Sequence, residues 1–331
     1  MYNSDVFPEI VREKNFSFRE LEYLTNICFE SNNYLNNFPQ VFHNDNKENL
    51  FLYKINGLAV SFCSIHPIHF QLPNLALSSY CIGSVCTHPN FRKKGFAKKL
   101  LMEVECKAKE NQVDFLFLFS DFKALYTDLN YVPAGNTYLA QVNSRIPSPN
   151  YLNKLKKFKS EYNKAVQKFA EKKLDFSNIN YLDVIDDRKK YDIWQFIVRN
   201  APKSESILSY LEFSDILKIK NMQLFILSHE KKICAIAFVN KGDDFQNVIH
   251  SLYFSEFNYS LILLHDVIVN NNEEELIFFP GSHSSKFFSL FDFQSIPSLF
   301  LKSLDEKKIA TQKLQELCEK NDIFIGSLQG T

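Results

Sequence analysis

Asn56-Gly57 separates two apolar runs in NLFLYKINGLAVSFCSI, residues 49–65. No other short signal in the chain restricts the backbone path so narrowly. Both turn residues can take positive φ, and the flanking runs must then pair as antiparallel strands. The neighbouring elements follow from this hairpin. Ser17 and Glu20 have capping-box spacing ahead of Leu21, Leu24 and Cys28, which predicts a helix over 18–30, with a second short helix over 32–40. A third strand over 79–87 leads to a helix whose apolar face is Ala97, Leu100, Leu101, Val104 and Ala108. A buried strand at 114–119, a short helix within 122–135 and a last strand near 136–142 complete a mixed α/β domain ending near residue 150.

The same order returns in the second half. A helix is expected over 191–200, two strands joined by a polar turn over 222–240, and a strand over 247–254. A helix over 259–269, a strand over 275–280, a short helix over 284–291 and a final strand over 297–304 follow. The repeat is one of pattern rather than identity, which argues for two copies of one fold. A chain of 331 residues can bury two cores. Between the copies, residues 151–174 put Leu155, Phe158, Tyr162, Ala165 and Phe169 on one stripe with lysines around it. We read this as a packed linker helix with a solvated lysine face, because its polar face has no arginine or stacking aromatics to suggest nucleic acid. The expected domains are 1–150, a basic amphipathic linker helix over 151–178, and 179–331.

Composition narrows the partners. Thirty-eight basic residues balance 38 acidic ones, and the second half carries more acids than bases, so neither nucleic acid nor an anionic membrane is an expected partner. The first residues lack a charged-then-apolar leader, and no apolar run approaches the roughly 18 residues that span a bilayer, so a cytoplasmic protein is expected. The seven cysteines form no CxxC pair, which suits reduced thiols and predicts no structural metal.

The chemistry gathers at GSVCTHPNFRKKGFAKKLL, residues 83–101, where a strand hands over to a helix. A helix starting near Phe96 leaves its first N–H groups unpaired and presents the positive end of its dipole. Gly95 lets an anion approach the backbone, small Ala97 keeps the first turn open, and Arg92, Lys93 and Lys94 add charge. Each such helix-end contact contributes about 0.3–1 kcal/mol when exposed, so several together could hold a pyrophosphate. Neither GxxxxGK[ST] nor GxGxxG is present, which removes the two commoner phosphate loops.

This segment resembles the acetyl-CoA signature of the GNAT superfamily of N-acyltransferases, Arg/Gln-x-x-Gly-x-Gly/Ala, with Arg92, Gly95 and Ala97 in the three places. LYTDLNYVPAG (125–135) is similar to the family's later Tyr-x-x-x-Gly-Phe/Tyr segment, with Asn130 where the family usually has Gly. Asn also tolerates the left-handed region. The resemblance covers roughly 17–142 and is strongest to multi-domain acetyltransferases that include the "enhanced intracellular survival" type. It implies an α/β GNAT fold with a mixed, largely antiparallel sheet, followed by a second, degenerate GNAT-like α/β domain.

The resemblance also implies acetyl-CoA as co-substrate. The pyrophosphate would lie on the amides of Lys93, Lys94, Gly95, Phe96, Ala97 and Lys98 beside Arg92, and the pantetheine would pair along Val85, Cys86 and Thr87. Tyr126 would protonate the departing sulfur after direct attack by a primary amine of a small molecule or a protein. The base stays open among Asp121, His66, His88 and the carboxylate of Thr331. Cys86 reads as a small buried thiol rather than a nucleophile. The acceptor is undefined, since the expected substrate loops 32–47 and 67–78 show no decisive charge pattern. An acyl-CoA-binding regulator without turnover is the alternative. One acetyl-CoA per chain is expected, because Ser255-Glu256-Phe257-Asn258 stands where the second copy would need its anion site. That copy would wall the acceptor pocket, pair with another chain in a homo-oligomer, deliver the terminal FIGSLQGT, or serve only as a packing partner.

Overall fold

The computed structural model describes residues 8–11, 16–135, 137–143, 148–180, 185–243, 245–271, 275–296, 299–320 and 322–324. The elements run β1 (Pro8–Val11), α1 (Phe18–Phe29), β2 (Leu50–Ile55), β3 (Leu58–Leu72), β4 (Leu75–Thr87), α2 (Phe96–Glu110), β5 (Phe115–Phe119), α3 (Lys123–Thr127), β6 (Val132–Pro133) and β7 (Thr137–Asn143). They continue with α4 (Pro149–Lys168), β8 (Leu174–Ile179), α5 (Asp187–Asn200), α6 (Tyr210–Ile216), β9 (Gln223–His229), β10 (Lys232–Lys241) and β11 (Phe245–Phe254). Last come α7 (Phe257–Asn270), β12 (Leu276–Phe278), α8 (Ser284–Phe287), β13 (Phe293–Ile296), β14 (Leu299–Ser303) and α9 (Thr311–Glu319). Among the described residues the strands form two seven-stranded sheets, ordered β1-β2-β3-β4-β5-β14-β6 and β13-β7-β12-β11-β10-β9-β8.

Two compact units interleave along the chain. One lies within 1–135 and 297–323, the other within 136–296 and 324–330. In the first, the capping box closes as its spacing predicts: Glu20 N–H donates to Ser17 Oγ at 3.3 Å and Ser17 N–H donates to Glu20 Oε2 at 2.8 Å. Such a cap stabilises a helix by about 1 kcal/mol. Asn56 and Gly57 turn the β2–β3 hairpin at φ +49° and +78°, the backbone that Asn-Gly favours. Along β2 the period of two sends Leu50 and Leu52 to the face covered by Leu21 and Leu24 of α1. Phe51 and Tyr53 go to the face covered by Leu100, Leu101 and Val104 of α2.

The last third of the chain completes this first sheet. β14 pairs antiparallel with β5 from Leu299↔Phe119 to Ser303↔Phe115, and Phe300 and Leu301 are buried. Burying two such side chains contributes roughly 3–6 kcal/mol. Lys302 Nζ donates to Glu105 at 2.7 Å and to the Leu129 carbonyl at 2.8 Å, and Lys308 Nζ reaches buried Asp114 at 2.7 Å.

In the second unit α4 and α7 pack one face of the sheet. The stripe read from the sequence meets them there, with Phe158, Ala165 and Phe169 in the buried cluster and Leu155 and Tyr162 packed against it. Alternation along β10 sends Ala235, Ala237 and Val239 to that face. Ile236 and Phe238 go to the opposite face, with Ile193 and Ile197 of α5 and Phe213 and Ile216 of α6.

Several expectations need correcting. The helix expected to 174 stops at Lys168, and 174–179 is a strand paired with β9. The helix is packed, as its stripe predicts, but it belongs to the second unit's core rather than linking the two copies. Residues 67–78, read as a loop, extend β3 and β4 into a long hairpin paired from Pro67↔Tyr80 to Leu72↔Leu75. The strands expected to close each half change places: β7 lies between β12 and β13, and β14 lies between β5 and β6. Non-local ladder pairing decides this, and local periodicity carries no trace of it. The short β6, β13 and α6, and α9 near the end, were not anticipated.

Candidate functional site

The strand-to-helix junction of the first unit is built from a break in the sheet. β4 pairs with β3 as Phe62↔Cys86 and then Ser64↔Gly83, so Cys63 faces two residues, Ser84 and Val85. Ser84 takes φ +54°, and its hydroxyl meets Tyr34 Oη at 3.0 Å. A bulge of this kind bends its strand and re-aims the residues beyond it. The parallel ladder to β5 runs from Ser79↔Phe115 to Ile82↔Leu118. Val85, Cys86 and Thr87 continue past that ladder.

Beyond Thr87 the chain makes one 3₁₀ turn at Pro89–Phe91, where His88 Nδ1 accepts from Asn90 N–H at 3.3 Å. Arg92 folds back, its Nε donating to the Thr87 carbonyl at 3.2 Å. That contact fixes the guanidinium and leaves its other N–H groups for an anion. Lys93 sits at φ +62° and Gly95 at φ +81°. Gly95 caps α2 with no side-chain hydrogen bond to the helix, and a Cβ built on it meets nothing within 4 Å. Arg92, Lys93, Lys94 and Gly95 are exposed, Phe96 and Ala97 half-buried and Lys98 exposed. The first-turn amides of α2 are thus bare, with three cations beside them, which suits a multivalent anion.

Tyr126 lies on α3, after β5. It is buried, with ring neighbours Tyr131 at 6.1 Å and Phe300 at 5.9 Å. Burial pushes its phenol above the usual range, partly offset by a hydrogen bond with Ser120. The group therefore stays protonated at neutral pH and is able to donate. Cys86 is buried, and a hydrogen bond with the Cys28 thiol together with burial holds its thiol well above the usual range. It is not a ready thiolate nucleophile.

The base candidates are scattered. His88 shapes the turn, as its Asn90 contact shows. His66 is buried on β3 opposite Cys81, Asp121 is exposed after β5, and Thr331 lies outside the described residues. Sequence reasoning missed the Ser84 bulge, the Ser120 partner of Tyr126 and the packing of Phe300. Phe300 stands 174 positions from Tyr126 in the chain, so no local signal could reveal it. Among the described residues no group of three or more His, Cys, Asp or Glu side chains is arranged to hold a metal, and no helix is long and apolar enough to cross a membrane.

Residues 15–134 match the family model described as Acetyltransferase (GNAT) domain. No curated protein matches the chain. Among solved structures, a probable N-acyltransferase from Enterococcus faecalis V583 is similar over 91% of this chain and 74% of its own, at 9% identity and TM-score 0.62. A GCN5-related N-acetyltransferase from Kribbella flavida is similar over 92% and 72%, at 10% identity and TM-score 0.61. A tandem GNAT protein from the clavulanic acid biosynthesis pathway is similar over 90% and 99%, at 9% identity and TM-score 0.52. With the bulged fourth strand and the open helix start already in view, residues 15–134 match the GNAT acetyltransferase domain model, and the chain has the GNAT fold.

Proposed function

We propose that the chain is an acetyl-CoA-dependent N-acetyltransferase acting on a primary amine. The observation that carries this reading is the start of α2: a left-handed Gly95 cap with open space above it and no side chain on the first-turn amides. Arg92, Lys93, Lys94, Phe96, Ala97 and Lys98 surround that point and would hold the pyrophosphate. Val85, Cys86 and Thr87, beyond the β5 ladder, would pair with the pantetheine arm. When bound, acetyl-CoA supplies a thioester whose carbonyl carbon accepts the amine.

The chain's own groups orient, polarise and move protons. Strand N–H groups past the bulge would stabilise developing charge on the thioester oxygen. Tyr126, kept neutral by burial, is the proton donor for the leaving sulfur. An alkyl amine with a pKa near 10.4 must lose a proton before attack, at a cost of about 4.6 kcal/mol at pH 7. Asp121 and His66 are the candidates to help through water. The first unit is the catalytic one, and the second binds no acetyl-CoA of its own. Release of free CoA thiol across a panel of amines tests the reading. Binding of acetyl-CoA with no thiol release on any amine would favour an acyl-CoA-binding regulator instead.

A further inference from the structure

On the face of the second sheet that carries α5, a cleft of about 600 Å³ opens between that helix and the β9–β10 turn. Cavities of this size hold small ligands. Lys189 and Arg199 reach it from α5, and Lys231 and Lys232 reach it from the turn, against one carboxylate, Asp192. On the helix, 189, 192, 196 and 199 recur at helical spacing, so one stripe faces the cleft. The floor is apolar, with buried Ile226 and half-buried Phe196 and Ile233.

The charges in the cleft are not neutralised by the protein. Among the described residues none of the four cations pairs with a carboxylate. The nearby acids are turned elsewhere, Asp187 to Lys190 at 3.7 Å and Glu230 to His229 at 4.0 Å. Arg199 Nη2 donates only to the neutral Gln195 Oε1, at 2.5 Å. Four like charges around one apolar floor repel one another until a multivalent anion enters. A guanidinium fork with several ammonium groups matches phosphate oxygens, and the floor matches an organic body.

We propose that this cleft is a binding site for a small organic phosphate of nucleotide size, separate from the α2 junction. The proposal does not rest on the acyl-transfer reading. Its test is calorimetric titration of the full chain with ATP, inorganic pyrophosphate and citrate, comparing wild type with Arg199→Glu, Lys232→Glu and Gly95→Trp. The two charge reversals lie on different elements and on exposed side chains, and circular dichroism checks that each variant folds. ATP is expected to bind at least tenfold more tightly than pyrophosphate or citrate. Each charge reversal should weaken it at least tenfold, and Gly95→Trp should leave it intact. No ATP binding, binding indifferent to both reversals, binding lost in Gly95→Trp, or equal binding of pyrophosphate or citrate would overturn the proposal.

Discussion

The chain builds the strand-to-helix junction twice, with opposite outcomes. After β4, the helix start is Gly95 in the left-handed region, with residues 92–95 exposed and no Asp or Glu within residues 88–98. After β11, the helix start is Glu256 in extended backbone. Its carboxylate is paired with Lys168 at 2.9 Å. One turn in, buried Tyr259 lies flat against Phe169 at 4.3 Å, and its hydroxyl meets Lys172 Nζ at 3.4 Å. A carboxylate held by Lys168 therefore stands at the positive end of α7, without a capping hydrogen bond to the helix, and the first turn is covered by Phe169 just past α4. A phosphate would meet like charge and filled space there. The fold is thus separable from the anion site: strand, helix and parallel neighbour strand persist in both units, and only the residues at the helix entry decide whether a ligand can come in.

The harshest way to break this comparison is to separate the units. A chain truncated after residue 150 loses β14, α9 and their ion pairs to Glu105 and Asp114. It also loses the Phe300 ring beside Tyr126. Such a fragment is expected to lose cooperative folding and all acetyl-CoA binding, read by thermal melting and calorimetry. A fragment that melts cooperatively and binds would show that β14 is dispensable to the first sheet.

Next in size is Tyr126→Phe. If the first junction is the catalytic one, turnover should fall by about 10²–10⁴-fold while acetyl-CoA affinity stays near wild type, the pattern of a lost general acid. Steady-state kinetics alongside binding separates this from packing damage, which would lower both together. Unchanged turnover would mean that another group or water protonates the sulfur.

The first unit was legible in the sequence where its signals are local. Capping box, Asn-Gly turn, helix face and glycine at the α2 entry lie within a few residues of what they control, and each was found. The rest depended on distance along the chain. Nothing in TYLAQVN (137–143) or in LFLKS (299–303) says which sheet will accept it, because both are ordinary apolar strands and the choice is made by the open edges offered by β5 and β12. The Ser84 bulge was invisible for another reason, since a serine at positive φ is held there by the surrounding sheet rather than by its own preference. The filled end of α7 was half legible. Glu256 was read as an obstacle, but the cover supplied by Phe169 and Lys168 needed the fold.

A smaller effect sharpens the contrast at the helix starts themselves. Gly95→Trp should weaken acetyl-CoA binding by about tenfold or more through loss of the close backbone approach. The left-handed backbone costs an L-residue only about 1–2 kcal/mol, and open space around the Cβ spares the fold. Calorimetry on the wild type should return one acetyl-CoA per chain. A value of two, or one site that survives Gly95→Trp, would break the assignment of the two junctions.

The gentlest perturbation is pH, and it should reach the two units in different windows. In the second unit His283 is buried against the Phe254 ring at 4.5 Å. Burial, with Lys286 nearby, pulls its imidazole down from the usual 6.5 to about 4. His250 is buried too, and is likewise held well below its usual value by burial and by Lys241. For such groups the unfolded chain binds protons that the folded chain refuses, so folded stability is full above pH 6.5 and falls as pH drops from there toward the folded value. In the first unit Glu20 is shifted the carboxylate way, held below its usual 4.5 chiefly by the Lys54 hydrogen bond and the Ser17 backbone. Its contribution is present above 4.5 and is lost only as pH falls below that. Between pH 7 and 5 His283 alone should therefore cost the second unit roughly 1–2 kcal/mol, with His250 adding to it while the first unit holds, a shift of several degrees in melting temperature. Hydrogen exchange resolves the units, with peptides from β11 to α8 losing protection before those from α1 and β2. His283→Met should reduce that slope and leave the share of His250. Equal acid sensitivity of both units, or a slope unchanged in His283→Met, would remove His283 as its source.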